Sequence, residues 1–253
     1  MVHRANASHI GGCLSIADLL AVLYASALRV DPDRPDWPDR DRFVQSKGHA
    51  AAILYAVLAE RGFFPLSSLD DYCRDGSVLC GHVTSPHLPG VEVSTGSLGH
   101  GLSIACGMAL AAKRDKRAVR AFVLLSDGEL DEGSTWEAIL FAAHHHLDNL
   151  VAIVDYNKIQ SFGTVAEVLD LTPLAEKWHA FHWAVREIDG HHLEAIADAF
   201  AAVPFEPGRP SVIVAHTVKG KGVSFMESDL AWHYKAPDAA QLARALAEIG
   251  AGE

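Results

Sequence analysis

Two seven-residue runs, Val119 to Leu125 (VRAFVLL) and Leu150 to Tyr156 (LVAIVDY), are nearly all apolar and lack the polar alternation of a half-exposed strand. Strands of this kind are buried on both faces, as in a parallel sheet covered by helices. Between them, Ser134 to His146 has helical spacing, and the crossover is long enough for parallel pairing. The pattern recurs in Trp183 to Asp189 (strand), Leu193 to Val203 (helix) and Ser211 to Thr217 (strand), and Pro237 to Ile249 predicts a terminal helix. Upstream, Ile16 to Leu28 predicts a helix capped by Ser15, and the acidic, Pro-rich Val30 to Arg42 predicts a surface loop. Phe43-Val44-Gln45 reads as a short strand, His49 to Arg61 as a helix, and Leu69 to Arg74 as a short one. A long Gly/Pro/Ser/His loop from Gly76 to Gly101 precedes a small-residue helix, Leu102 to Arg114. Loops this long inside a compact domain are usually functional. The expected fold is α/β, an open and mostly parallel sheet with helices on both faces, forming a single domain over residues 1–253. Such sheets bind ligands at the carboxyl ends of their strands.

Charge narrows the partners. With 32 Asp and Glu against 21 Lys and Arg, the net charge is −11, which repels nucleic-acid backbones and anionic membrane surfaces. No apolar stretch is long enough for a membrane span, and the first residues lack the apolar core of a secretory signal, so a cytoplasmic location is expected. Cys13, Cys73, Cys80 and Cys106 form no CxxC pair and read as reduced, buried thiols.

Histidine and glycine add a candidate cavity. Four His-Gly clusters occur by residue 101, around His9, His49, His82 and His100. Glycine lets backbone approach a ligand, and imidazole offers one donor and one acceptor. A second feature lies at the strand ends: Ser126-Asp127-Gly128 follows the first buried run and Asp155-Tyr156-Asn157-Lys158 ends the second. Asp127 offers a carboxylate and Asn157 an amide oxygen. Magnesium takes a few hard oxygens at about 2.0–2.1 Å, together with phosphate oxygens and water. Gly128 permits close approach to a phosphate, and the helix beginning near Ser134 offers its positive end.

The run Asp127-Gly128-Glu129-Leu130-Asp131-Glu132-Gly133 through Asn157 resembles the thiamine diphosphate signature, in which a Gly-Asp-Gly run is followed at a similar distance by Asn. His49 in SKGHA, Ser94 to Gly99 (STGSLG) and Asn149 to Lys158 (NLVAIVDYNK) look like the transketolase family, and the resemblance covers essentially the whole chain. Ser126 departs from the first glycine of the signature. Ile10 stands where most full-length members have proline, and His9-Ile10-Gly11-Gly12 is instead the pattern expected of split, two-subunit relatives. Only eight residues precede His9, where members usually carry a further helix.

The resemblance implies a role for each matching residue. Asp127, Asn157 and the carbonyl of Ile159 would hold Mg2+, or Ca2+ or Mn2+ in its place, and Gly128 would give an amide to the diphosphate. His49 and His233 would contact the diphosphate and flank the reactive carbon, while Gly96 and Leu98 would line the aminopyrimidine through their backbone. Glu132 would link to the activating glutamate of a partner, and His9 and His82 would bind donor-sugar hydroxyls. The implied reaction moves a two-carbon ketol unit from a ketose phosphate to an aldose, with thiamine diphosphate as electron sink and histidines suited to the proton transfers.

In the family the activating glutamate lies in a following pyrimidine-binding domain, and this chain ends at Glu253 before one. The expectation is a C-terminal partner subunit within an α2β2 heterotetramer. The nearest alternatives are a deoxyxylulose phosphate synthase, a 2-oxo acid dehydrogenase subunit or a non-catalytic assembly subunit. Nicotinamide-dependent redox chemistry is disfavoured because Gly96, Gly99 and Gly101 give the reverse of G-x-G-x-x-G, and residues 218–223 supply no phosphate-binding loop. The tract His144-His145-His146 cannot meet one ion, because neighbouring helical residues point about 100° apart, and reads as a helix C-terminus. His191 and His192 read as solvent-exposed turn residues.

Overall fold

A computed structural model describes residues 1–85 and 87–250; Pro86 and the last three residues, Glu253 among them, lie outside it. Five parallel strands form one sheet: β1 (Arg42–Gln45), β2 (Ala121–Ser126), β3 (Leu150–Tyr156), β4 (Ala184–Asp189) and β5 (Ser211–His216), in the order β1-β2-β3-β5-β4. Every residue of β2 and β3 is buried, as their unbroken apolar runs require. Strand β4, at an edge, keeps polar residues in view. The β2–β3 register, Ala121 with Leu150 through Ser126 with Asp155, brings both carboxyl ends level.

Alternate strand residues feed two cores. Phe43, Phe122, Leu124, Val151, Ile153, Ile213 and Ala215 pack with the N-terminal helices, namely α2 (Ile10–Leu14), α3 (Ala17–Val22) and α4 (Ala51–Glu60), and with α9 (Leu193–Ala201). Val44, Val123, Leu125, Ala152, Val154, Val212 and Val214 pack on the opposite face with α5 (Gly101–Arg114), α6 (Gly133–His144) and α8 (Leu174–Ala180). The period-two side-chain geometry of a strand makes this division possible. The remaining helices are α1 (Val2–Ala5), α7 (Val165–Val168) and α10 (Ala239–Gly250). The open α/β sheet covered on both faces is as expected.

Local differences have physical causes. The helix expected over Ile16 to Leu28 is α3 followed by a π-helical turn, Leu23–Ala27, and Ser15 does not cap it. The Ser15 hydroxyl is instead buried against Gly12 O and Asp155 Oδ2. Helix α8 was hidden by its mixed sequence, yet it seats Trp178 beside Trp183, both fully buried, with ring centroids 4.8 Å apart. His191 is not solvent-exposed. Its ring bridges Asp18 Oδ2 (2.8 Å) and Val218 N (2.9 Å), while His192 caps α9 by accepting from Ala195 N. Cys73 is exposed and Cys80 half-buried, contrary to a buried reading, and all four cysteines are unpaired. His144 ends α6 and His145 caps it, as expected, and among the described residues no group of three or more His, Cys, Asp or Glu forms a metal cluster.

Candidate active site

A cavity of about 260 Å³ opens over the carboxyl ends of β2 and β3. Its walls bring together His9, His49, His82, Gly96, Leu98, Asp127, Gly128, Asn157, Ile159 and His233 from segments far apart in sequence. Glu132 is the exception. It sits exposed at the N-cap of α6, packed against Gly99 and outside the cavity lining. His100, in the fourth of the His-Gly clusters, is exposed at the N-cap of α5 and does not line the cavity.

The histidines form a ring system at one end. His9 lies 5.1 Å from His49, 5.1 Å from His233 and 5.6 Å from His82, centroid to centroid, and His49 stacks on His233 at 5.7 Å. His9 has φ 74°, a left-handed conformation uncommon for a residue with a Cβ, and its N–H donates to His233 O at 2.9 Å. That bond ties the N-terminal turn to the Trp232-His233-Tyr234 turn. Tyr234 extends the aromatic wall, 4.7 Å from His233. Gly96 is required by His82, whose ring lies within 3.0 Å of where a Cβ would sit.

His9, His49 and His233 are neutral at pH 7. Burial, with repulsion from His82, Lys219 and Lys47, lowers His9 from 6.5 to about 4; burial, Lys219 and His9 lower His233 to about 3. His49 is pushed well down, chiefly by burial and then by Lys47. Below pH 6.5 an unfolded chain protonates its histidines while the folded one resists until about pH 4, so the unfolded state gains protons in that window. Stability is therefore full above pH 6.5 and falls as pH drops toward 4. The thermal midpoint is expected to be lower at pH 5 than at pH 7, and less steeply so in His9→Gln; an identical slope in that variant would contradict the assignment.

The other end is built from oxygens. Asp127 is buried; its Oδ1 accepts from Gly128 N at 2.8 Å and its Oδ2 from Lys158 N at 2.7 Å. Burial and the nearby Asp155 raise its carboxyl from 3.8 to about 6. A cation at this point relieves that repulsion. Asn157 Oδ1 faces Ile159 N at 3.1 Å, and Ile159 O accepts from the Lys219 ammonium at 2.9 Å. Lys219 is 3 % exposed, also touches His233 Nδ1 at 3.1 Å, and is lowered to about 8, mainly by burial. One carboxylate, one amide oxygen and one carbonyl suit a hard divalent ion, and a buried ammonium lining the same cavity suits a diphosphate. The residues present fit both groups.

Several participants were not singled out from sequence: Lys47, Glu129, Asp155, Gln160, Lys219 and Tyr234. Glu129 is wholly buried and accepts from the Ser46 hydroxyl and from Gly99 N at 2.9 Å, binding the STGSLG loop to the β2 end. Burial raises its carboxyl. Its place in the Asp127-Gly128-Glu129 run was the available signal. Ser126, the departure from the signature's glycine, accepts from Glu129 N at 3.2 Å through its hydroxyl, so it reinforces the turn.

Residues 1–251 match the family model described as "Transketolase, thiamine diphosphate binding domain". The chain is 45% identical over 249 residues to one of the subunits of the apulose-4-phosphate transketolase of Phocaeicola vulgatus, covering 98% of this chain and 88% of that one. It is also 45% identical over 232 residues to the 6-deoxy-6-sulfo-D-fructose transketolase subunit SqwG of a Clostridium species, covering 92% and 84%. Among solved structures, transketolase from Campylobacter jejuni superposes with a TM-score of 0.92 at 32% identity, covering 98% of this chain and 40% of that one. Transketolase from Leishmania mexicana gives 0.92 at 31% identity, covering 98% and 39%. The chain thus spans about two fifths of the length of those solved transketolases. The matched domain, the fold and the oxygen-lined strand ends agree: the chain belongs to the transketolase family, whose cofactor is thiamine diphosphate with a divalent metal ion.

Proposed function

We propose that the chain is the N-terminal subunit of a split transketolase, a single diphosphate-binding domain over residues 1–253 that transfers a two-carbon ketol unit from a ketose phosphate to an aldose. The observation that carries this reading is one cavity with oxygen ligands at one end and four clustered histidines at the other. Thiamine diphosphate, when bound, supplies the electron sink for breaking and making the carbon–carbon bond. Asp127, Asn157 and Ile159 O would hold the divalent ion, and Gly128, His49, His233 and Lys219 would face the diphosphate. Gly128 N–H donates to Asp127 Oδ1 at 2.8 Å and would be the amide offered to a phosphate oxygen. Gly96 and Leu98, which line the cavity, would flank the aminopyrimidine. His9 and His82 hydrogen-bond the donor's hydroxyls; His9, uncharged at neutral pH, offers a lone pair to a hydroxyl proton, while His233 Nδ1 faces the Lys219 ammonium.

A C-terminal partner subunit provides the pyrimidine-binding domain and the activating glutamate, to which Glu132, exposed at the N-cap of α6, would link. The proposed assembly is an α2β2 heterotetramer in the cytoplasm; no helix of the described residues is long and apolar enough to cross a membrane. Two relatives of similar length bear both words, transketolase and subunit, in their names, which favours this reading over a 2-oxo acid dehydrogenase or deoxyxylulose phosphate synthase. The test is an assay of ketol transfer by this chain alone and with its partner. Activity is expected from the pair only. Turnover by the isolated chain would overturn the two-subunit reading.

A further inference from the structure

Asp155 lies next to the end of β3, fully buried, two residues before Asn157. Its carboxylate accepts from four side chains: the Ser15 hydroxyl at 2.7 Å, the Asn157 amide at 2.8 Å, the Lys47 ammonium and the Thr217 hydroxyl. The donors come from four separate segments, and two of them, Lys47 and Asn157, line the cavity. Ser15 closes the turn after α2, and Lys47 leads into Gly48-His49 and also donates to Gly12 O at 3.0 Å. Thr217 follows β5.

The consequence for Asn157 is geometric. A carboxylate beside an ammonium only accepts, so the amide nitrogen must be the atom that faces it. With Nδ2 held on Asp155, Oδ1 is turned the other way, toward Ile159 N and the cavity. An amide free of that contact can rotate and present its N–H2 group to the cation instead of its oxygen.

We propose that Asp155 is the positioning residue of the divalent-ion site, holding Asn157 with its oxygen inward and linking that ligand to the segments that carry His9, His49 and Lys219. This rests on the reading that Asp127, Asn157 and Ile159 hold the ion. Ligand-orienting partners outside the coordination sphere act in this way at metal sites. Asp155 itself touches neither ion nor substrate in this arrangement. Lys47 is its counter-charge, without which a buried carboxylate is costly.

Removing one member of a buried ion pair leaves the other stranded, so the test replaces both, Asp155→Ala with Lys47→Met, in the full chain with thiamine diphosphate present. Mn2+ binding is followed by the electron paramagnetic resonance signal of the free ion. The double variant is expected to bind Mn2+ about 10–100-fold more weakly, whereas Ser15→Ala and Thr217→Val, which keep the Asn157–Asp155 contact, are expected to lose stability but stay within about threefold. A folded double variant within that threefold range overturns the proposal, provided Asp127→Ala weakens Mn2+ binding. If Asp127→Ala is also without effect, the ion-site reading itself has failed. Should the double variant not fold, the unsubstituted protein decides: the Asn157 side-chain amide protons are expected to be protected from solvent exchange with and without Mg2+, and exchange at an unprotected rate overturns the assignment.

Discussion

Asp127→Ala is expected to abolish ketol transfer by the paired subunits, with kcat/KM falling on the order of a thousandfold or more, beyond the ~10–100-fold typical of a partner outside the coordination sphere. Asp127 is the one carboxylate of the proposed ion set, whose other members are an amide oxygen and a carbonyl. Its loss removes the only formal negative charge that the proposed protein ligands offer the ion, and with it the anchor for the diphosphate. A fold defect is separable from this effect. The substitution strands Gly128 N and Lys158 N but also relieves the buried repulsion from Asp155, two opposing terms. The cofactor-free thermal midpoint is therefore expected to shift by only a few degrees. Steady-state kinetics with saturating Mg2+ and cofactor, alongside thermal unfolding, measure both. Unchanged activity would instead favour a non-catalytic assembly role.

The second large effect is expected at Gly48. A Cβ there would lie 2.5 Å from the Thr95 carbonyl carbon, its oxygen and its Oγ1, so backbone must move. The two segments are laced together: Gly48 O accepts from Val83 N, Val83 O from Thr95 N, and Gln45 O from Thr95 Oγ1 at 2.7 Å. Overpacking of this kind costs about 1–3 kcal/mol, which for a chain of this size lowers the thermal midpoint by roughly 3–10 °C. Gly48→Ala is also expected to weaken cofactor binding, because the displaced loop carries Gly96 and Leu98. Gly107→Ala is the control. Nothing lies within 4 Å of its Cβ position in the middle of α5, so the same change is expected to stabilise slightly. Equal midpoints for the two variants would contradict the close-contact account.

Most of the sheet was legible in the sequence because its central strands are apolar throughout, and β3 begins and ends where the pattern places it. Both ends of β2 shift slightly, the strand running from Ala121 to Ser126 and not from Val119 to Leu125. Helix α8 escaped notice because Lys177 and His179 interrupt its apolar spacing, and only the packed fold shows Trp178 at the centre of a core. The site was legible where residues are ligands by type, such as Asp127, Asn157 and the histidines. It was illegible where a role depends on which strands become neighbours. Asp155 is an ordinary strand-end acid until β5 brings Thr217 and the N-terminal turn brings Ser15 against it. Lys219 likewise reads as a loop lysine until its ammonium reaches Ile159 O, 60 residues away in sequence.

The cavity's two ends differ in how they are held. The oxygen end stands on the last residues of two central strands, where any backbone shift disturbs the whole register. The histidine end is assembled from turns at residues 9, 82 and 233, with the exposed Tyr234 at its lip. Changes at that lip can accumulate without moving the cofactor anchor. A lineage built this way can trade one sugar for another while its cofactor chemistry stays constant, and relatives named for substrates as different as apulose-4-phosphate and 6-deoxy-6-sulfo-D-fructose are what such freedom would leave behind.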